Sequence, residues 1–141
     1  NQLVYGVSLV CLASLQGRRG STSEALHLYR EVVAHWRRLG DHTHQLTAVR
    51  NLVELFARIG ADEPAALLYG AVSAGETPSF GAEAERLAAA LEQVQRRLGV
   101  ERADRLVEEG RLLGAARMGD EALTQLDALL KARTAMTERA E

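Results

Sequence analysis

Two histidines one residue apart, His42 and His44, directly follow Asp41. Two imidazoles and a carboxylate can share a divalent metal, but a closed site needs a further nitrogen or sulfur donor. No cysteine lies near, and His27 and His35 stand eight residues apart on a helical stretch, where surface or groove-edge places are expected. The segment therefore reads as a polar turn, with Asp41 or Thr43 capping the next helix. Gly17-Arg18-Arg19-Gly20-Ser21-Thr22 offers the glycine amides and helix start that hold anions. It lacks the Lys before Ser/Thr and the preceding strand of a phosphate loop. A turn closed by a capping box, Ser21 answering Glu24, accounts for it instead. Cys11 sits in the most apolar stretch, where a thiol is expected to be buried and inert. Glu31, Glu54, Glu108 and Glu109 read as ordinary helix carboxylates on solvated faces. No catalytic residue, metal or cofactor is expected, and no enzyme activity. Arg37-Arg38, and Arg96-Arg97 with Arg102 and Arg105, are interleaved with acids and lack aromatics to stack on bases. Direct nucleic-acid binding is not expected.

The scaffold for these groups follows from composition. The 141 residues are 47% hydrophobic and only 4% aromatic, so 22 Leu and 23 Ala must build the core. With two Pro, that mix favours helix almost throughout. A net charge of −2 gives no global field for nucleic acid or anionic lipid, and a single cysteine excludes an internal disulfide. The basic residues are 16 Arg and one Lys, a skew of coding rather than of mechanism. The apolar run from Leu3 to Leu15 lacks a basic leader region and is too short to span a bilayer. A helix apolar on every side is normally covered on every side. The run is therefore expected to be an internal helix, and the chain a cytoplasmic piece of a larger protein.

Seven helices can be read from the spacing of apolar residues, and no period-two stretch suggests a strand. The first covers about 2–16. The second follows Ser21 to Leu39 and stops at Gly40; its stripe is Ala25, Leu28, Tyr29, Val32, Val33 and Trp36. The third runs from Asp41 or Thr43 to Ile59, before Gly60. The fourth opens at Asp62-Glu63-Pro64, with Asp62 as N-cap, and fades near Gly75. Gly75 to Gly81, which contains Pro78, is a linker. A fifth helix carries Leu87, Leu91, Val94 and Leu98 and ends at Gly99. A sixth covers about 101–113, with Leu106, Val107 and Gly110 on one side. Gly114 to Gly119 is expected to be a break, and Asp120 to cap the last helix.

A shift of 40 residues overlays the first two pairs of helices. Leu12 falls on Leu52, Leu15 on Leu55, Gly20 on Gly60, Ala25 on Ala65, Tyr29 on Tyr69 and Val32 on Val72. Small residues at helix crossings and aromatics between pairs are what stacked hairpins require. The pattern resembles the tetratricopeptide repeat: Leu12, Gly20, Ala25 and Tyr29 fit one repeat, and Leu52, Gly60, Ala65 and Tyr69 the next. A longer second helix stretches the period. The implied fold is all-α, an α-solenoid of tetratricopeptide-like hairpins with about seven helices. Residues 1–75 would form two hairpins. Residues 76–141 would form a degenerate third hairpin and a C-terminal capping helix.

A second resemblance rests on longer runs. They are Ala25 to Glu31, Trp36 to Asp41, Thr43-His44-Gln45, Arg50-Asn51-Leu52, Arg58 to Ala61 and Ala65 to Ala71. They are similar to the C-terminal helical region of large actinobacterial regulators of the LuxR and AfsR types, and of cyclase-like signal-transduction ATPases. The resemblance implies a regulatory interaction domain whose partners are other domains of its parent chain or a peptide. In the repeat register the concave face carries Ser14, Arg18, Thr47, Arg50, Glu54 and Arg58, with Asn51 beside it. Arg can fork onto a carboxylate and Asn can bond a peptide backbone; otherwise Arg50, Glu54 and Arg58 pair along their helix. Self-association is expected near Leu3 and Val7. The alternative functions are a stand-alone peptide-binding scaffold and a small-molecule sensor using the groove.

Overall fold

The computed structural model describes residues 1–19, 21–75 and 77–140. They form seven α-helices and no strand: α1 (Gln2–Arg18), α2 (Thr22–Leu39), α3 (His42–Arg58), α4 (Asp62–Ser73), α5 (Gly81–Leu98), α6 (Val100–Arg111) and α7 (Gly114–Ala140). Three of the expected glycine stops hold. Gly40, Gly60 and Gly99 follow α2, α3 and α5 with φ of 68°, 82° and 87°, a region glycine enters without a Cβ penalty.

Four local expectations are corrected. Ser21 is the N-cap of α2, but its side chain makes no cap bond, so the capping box does not form. Its ψ of 69° departs from the extended geometry of a capping hydroxyl. Asp62 is inside α4, which is capped by Ala61, and its carboxylate goes to Arg97 instead. The break at 114–119 is absent: α7 starts at Gly114 and runs on without interruption. Ala115, Ala116, Arg117 and Met118 are strong helix formers, and Gly119 is a buried helical glycine. Asp120 is therefore mid-helix, where it pairs with Arg37.

The turns before α2 and α4 share one backbone geometry. Ser21 has φ −80° and ψ 69°; Ala61, 40 residues on, has φ −82° and ψ 69°. The Ser21 N–H donates to the Gln16 carbonyl, and the Ala61 N–H to the Phe56 carbonyl. Gly20, the counterpart of Gly60, lies outside the described residues.

The chain divides into two compact units, Asn1–Ala48 with Asp120–Glu141, and Val49–Gly119. In the first, α1 packs on α2. Gly6 permits this: a Cβ there would lie 2.3 Å from the Trp36 ring. Leu26, Val32, Val33 and Trp36 are fully buried beneath. The part of α7 from Asp120 runs antiparallel to α2, as three contacts show: Arg37 with Asp120, Arg30 with Asp127, and Arg133 Nε donating to Ser23 Oγ at 3.0 Å. Those ion pairs are half exposed and contribute little each. Ala122 and Leu126 in the same stretch of α7 are fully buried.

In the second unit α4 packs against α5 and α6, and α5 against α6. The α4–α6 crossing is backbone on backbone. A Cβ on Gly70 would lie 1.9 Å from the Val107 carbonyl oxygen, and one on Gly110 would lie 1.8 Å from that of Leu67. Among the described residues no helix is long and apolar enough to cross a membrane.

Candidate binding site

The His42–His44 segment forms a cap. The Asp41 carboxylate accepts the backbone N–H of His44 at 3.1 Å and contacts its ring Nδ1 at 2.7 Å. The ring also stacks on Trp36, with centroids 4.6 Å apart, while His42 is exposed. Among the described residues no group of three His, Cys, Asp or Glu is placed to hold a metal. His35 is not at the surface: it is 3% exposed, its Nε2 donates to the Gln2 carbonyl at 2.8 Å, and it meets Tyr5 and Trp36 edge-on. Spacing alone could not show this, because Gly6 is what lets α1 reach the ring.

The Asp41 carboxyl titrates below its ordinary range. The main cause is the His44 backbone N–H; partial burial opposes it, and the His44 ring and charge add to it. A carboxyl depressed in the folded state adds stability above its unfolded pKa of about 3.9, and that stability is lost as pH falls through the folded value. Asp41→Ala is expected to cost about 1 kcal/mol at neutral pH. Urea melts should show that cost shrinking below about pH 4, while Asp41→Asn keeps most of the cap at every pH.

The seven residues expected on a concave face fall in different units. Ser14, Arg18 and Thr47 belong to the first. Ser14 Oγ bonds the Tyr29 hydroxyl at 3.2 Å, Arg18 is exposed, and Thr47 Oγ1 bonds back to the Thr43 carbonyl. Arg50, Asn51, Glu54 and Arg58 belong to the second. Arg58 is exposed and Asn51 half-buried. Glu54 pairs with Arg86 of α5 at 3.2 Å, so the Arg50–Glu54–Arg58 ladder along α3 is not made.

Arg50 is the exceptional member. It is 6% exposed; one terminal nitrogen meets Glu83 at 3.1 Å and the other donates to the Thr77 carbonyl. It thereby ties the segment between α4 and α5 to α3. Beside it lies a half-open cavity of about 480 Å³, within the range of small-molecule sites. Tyr69 and Val72 of α4, Pro78 and Ser79 of the connecting segment, and Leu87 of α5 help to wall it. Neither Tyr69 nor the connecting segment stood out as part of a site in the sequence. Tyr69 was legible only as a repeat position, and the connecting segment only through Pro78 and its neighbouring glycines, a turn signal rather than a binding one.

The basic clusters are largely neutralised within the fold. Arg97 pairs with Asp62 at 2.8 Å, Arg102 with Glu63, and Arg96 with Glu92. Cys11 is exposed, because the outer side of α1 is bare rather than covered. Comparison with protein-family models, with curated proteins and with solved structures gives no match for this chain.

Proposed function

We propose that this chain is a non-catalytic helical-repeat interaction domain, tetratricopeptide-like in design, serving a multidomain bacterial transcriptional regulator or signal-transduction ATPase. One observation carries the reading. Leu12 and Leu15 of α1 are 44% and 38% exposed, whereas their counterparts 40 residues on, Leu52 and Leu55, are buried. The shared turn geometry at Ser21 and Ala61 supports treating these positions as equivalent. Leu3, Val4, Tyr5 and Val7 extend the bare face along α1. Together they leave one side of α1 apolar and bare, and such a patch is often a contact surface. The face suits another helical hairpin, from the same protein or from a second copy.

A chain of this design self-associates when no other hairpin covers α1. Light scattering over a concentration series is expected to show the dimer fraction rising with concentration. Val4→Glu with Val7→Glu should return the chain to monomer with its helical circular dichroism intact. A wild-type chain that stays monomeric at millimolar concentration would remove the α1 face from the reading.

A further inference from the structure

We propose that the cavity beside Arg50 binds a small monocarboxylate with an apolar body, whose carboxylate takes the guanidinium over from Glu83. The inference stands on the second unit alone and does not depend on the repeat reading. A guanidinium carries five N–H donors. The described residues take two of them, one by Glu83 and one by the Thr77 carbonyl. The Arg50 charge is matched by Glu83, and the donors left over can serve a ligand in the cavity. The Glu83 contact uses one oxygen on one nitrogen at 3.1 Å. A free carboxylate that enters with its plane aligned to the guanidinium can make two parallel bonds, a better match to the fork.

The exchange is physically open. Glu83 sits in the first turn of α5 with its side chain 26% exposed, so it can rotate into water when displaced. Arg50 is 8% exposed at the side chain and stays where it is. The rest of the wall is mixed. Val72, Pro78, Ala84 and Leu87 offer apolar contact, and Tyr69, Ser73, Thr77 and Ser79 add polar groups beside it. A short acyl chain or a single aromatic ring fits that apolar bed. A second carboxylate, as in a dicarboxylate, would meet no further cation among the lining residues.

The probes are hexanoate and 3-phenylpropionate, with their primary amides as neutral twins, added to the whole chain and followed by amide chemical shifts. At millimolar concentration the acids are expected to shift the amides of Thr77, Ser79 and Leu87, and the primary amides to bind at least about tenfold more weakly. Glu83→Gln removes the competitor and should tighten the acids about threefold or more. Ala84→Phe fills the bed and should abolish binding; circular dichroism confirms that both variants fold. Amides that bind as well as acids overturn the proposal. So does Glu83→Gln leaving the acid affinity unchanged, and so does the absence of shifts at those three amides.

Discussion

Gly70→Ala is expected to lower the stability of the chain by about 3 kcal/mol, and its melting temperature by about 10 °C. An alanine in a helix interior ordinarily gains about 1 kcal/mol over glycine. Here the new methyl would sit 1.9 Å from the Val107 carbonyl oxygen, 2.7 Å from its carbon and 3.0 Å from the Arg111 nitrogen. These are backbone atoms of α6, which no rotamer change can move. The two helices must separate by roughly 1 Å or more, and a close-packed interior loses its contacts when they do. Gly110→Ala meets the Leu67 carbonyl at 1.8 Å and should behave alike. Both act on one crossing, so the double variant should cost clearly less than the two single costs together. Gly75→Ala, where the nearest atom is 4.0 Å away, is the control and should be near neutral. Thermal melts followed by circular dichroism decide it. A neutral Gly70→Ala would mean that α4 and α6 do not cross there.

The same glycines show how far the sequence could be read. Helix stripes such as Ala25, Tyr29, Val32 and Trp36 are legible because burial follows the 3.6-residue period, and these residues are buried. Gly40, Gly60 and Gly99 are legible as stops because each follows a periodic run and takes a positive φ. Glycine has two uses, however, and local sequence does not separate them. At 70, 110 and 119 it lies inside a helix, and at 70 and 110 it admits another backbone. Reading 114–119 as a break treated a buried helical glycine as a stop. Long-range pairing was illegible for a related reason. Arg30 and Arg37 meet Asp127 and Asp120 because α7 returns along α2, and a seven-residue spacing on each helix does not name its partner. At the candidate site, Arg50 was legible as a helix-face arginine. Its burial was not, since Glu83 and the Thr77 carbonyl come to it from beyond the turn after α4.

Trp36→Ala is expected to cost about 4 kcal/mol, the range for emptying a fully buried aromatic site. The ring is 1% exposed and stacks on His44, and it fills the space that Gly6 leaves open. Trp36→Phe should cost far less, about 1 kcal/mol, because an aromatic ring still fills most of the site and an unpaired donor is removed. The indole Nε1–H is buried and has no hydrogen-bond partner among the described residues, and phenylalanine removes that donor. Phenylalanine lacks the Cζ2 and Cη2 carbons that a Cβ at position 6 would meet at 2.3 Å. Gly6→Ala should therefore destabilise the wild-type chain but be tolerated in the Trp36→Phe background, a coupling that a double-mutant cycle reads directly. Urea unfolding followed at 222 nm suits every one of these chains, because Trp36 is the only tryptophan and its fluorescence vanishes wherever it is replaced. Equal costs for Trp36→Phe and Trp36→Ala would show that the indole's outer ring, not the orphan donor, governs this contact. Additive costs for Gly6→Ala and Trp36→Phe would show that α1 does not seat its glycine on the ring.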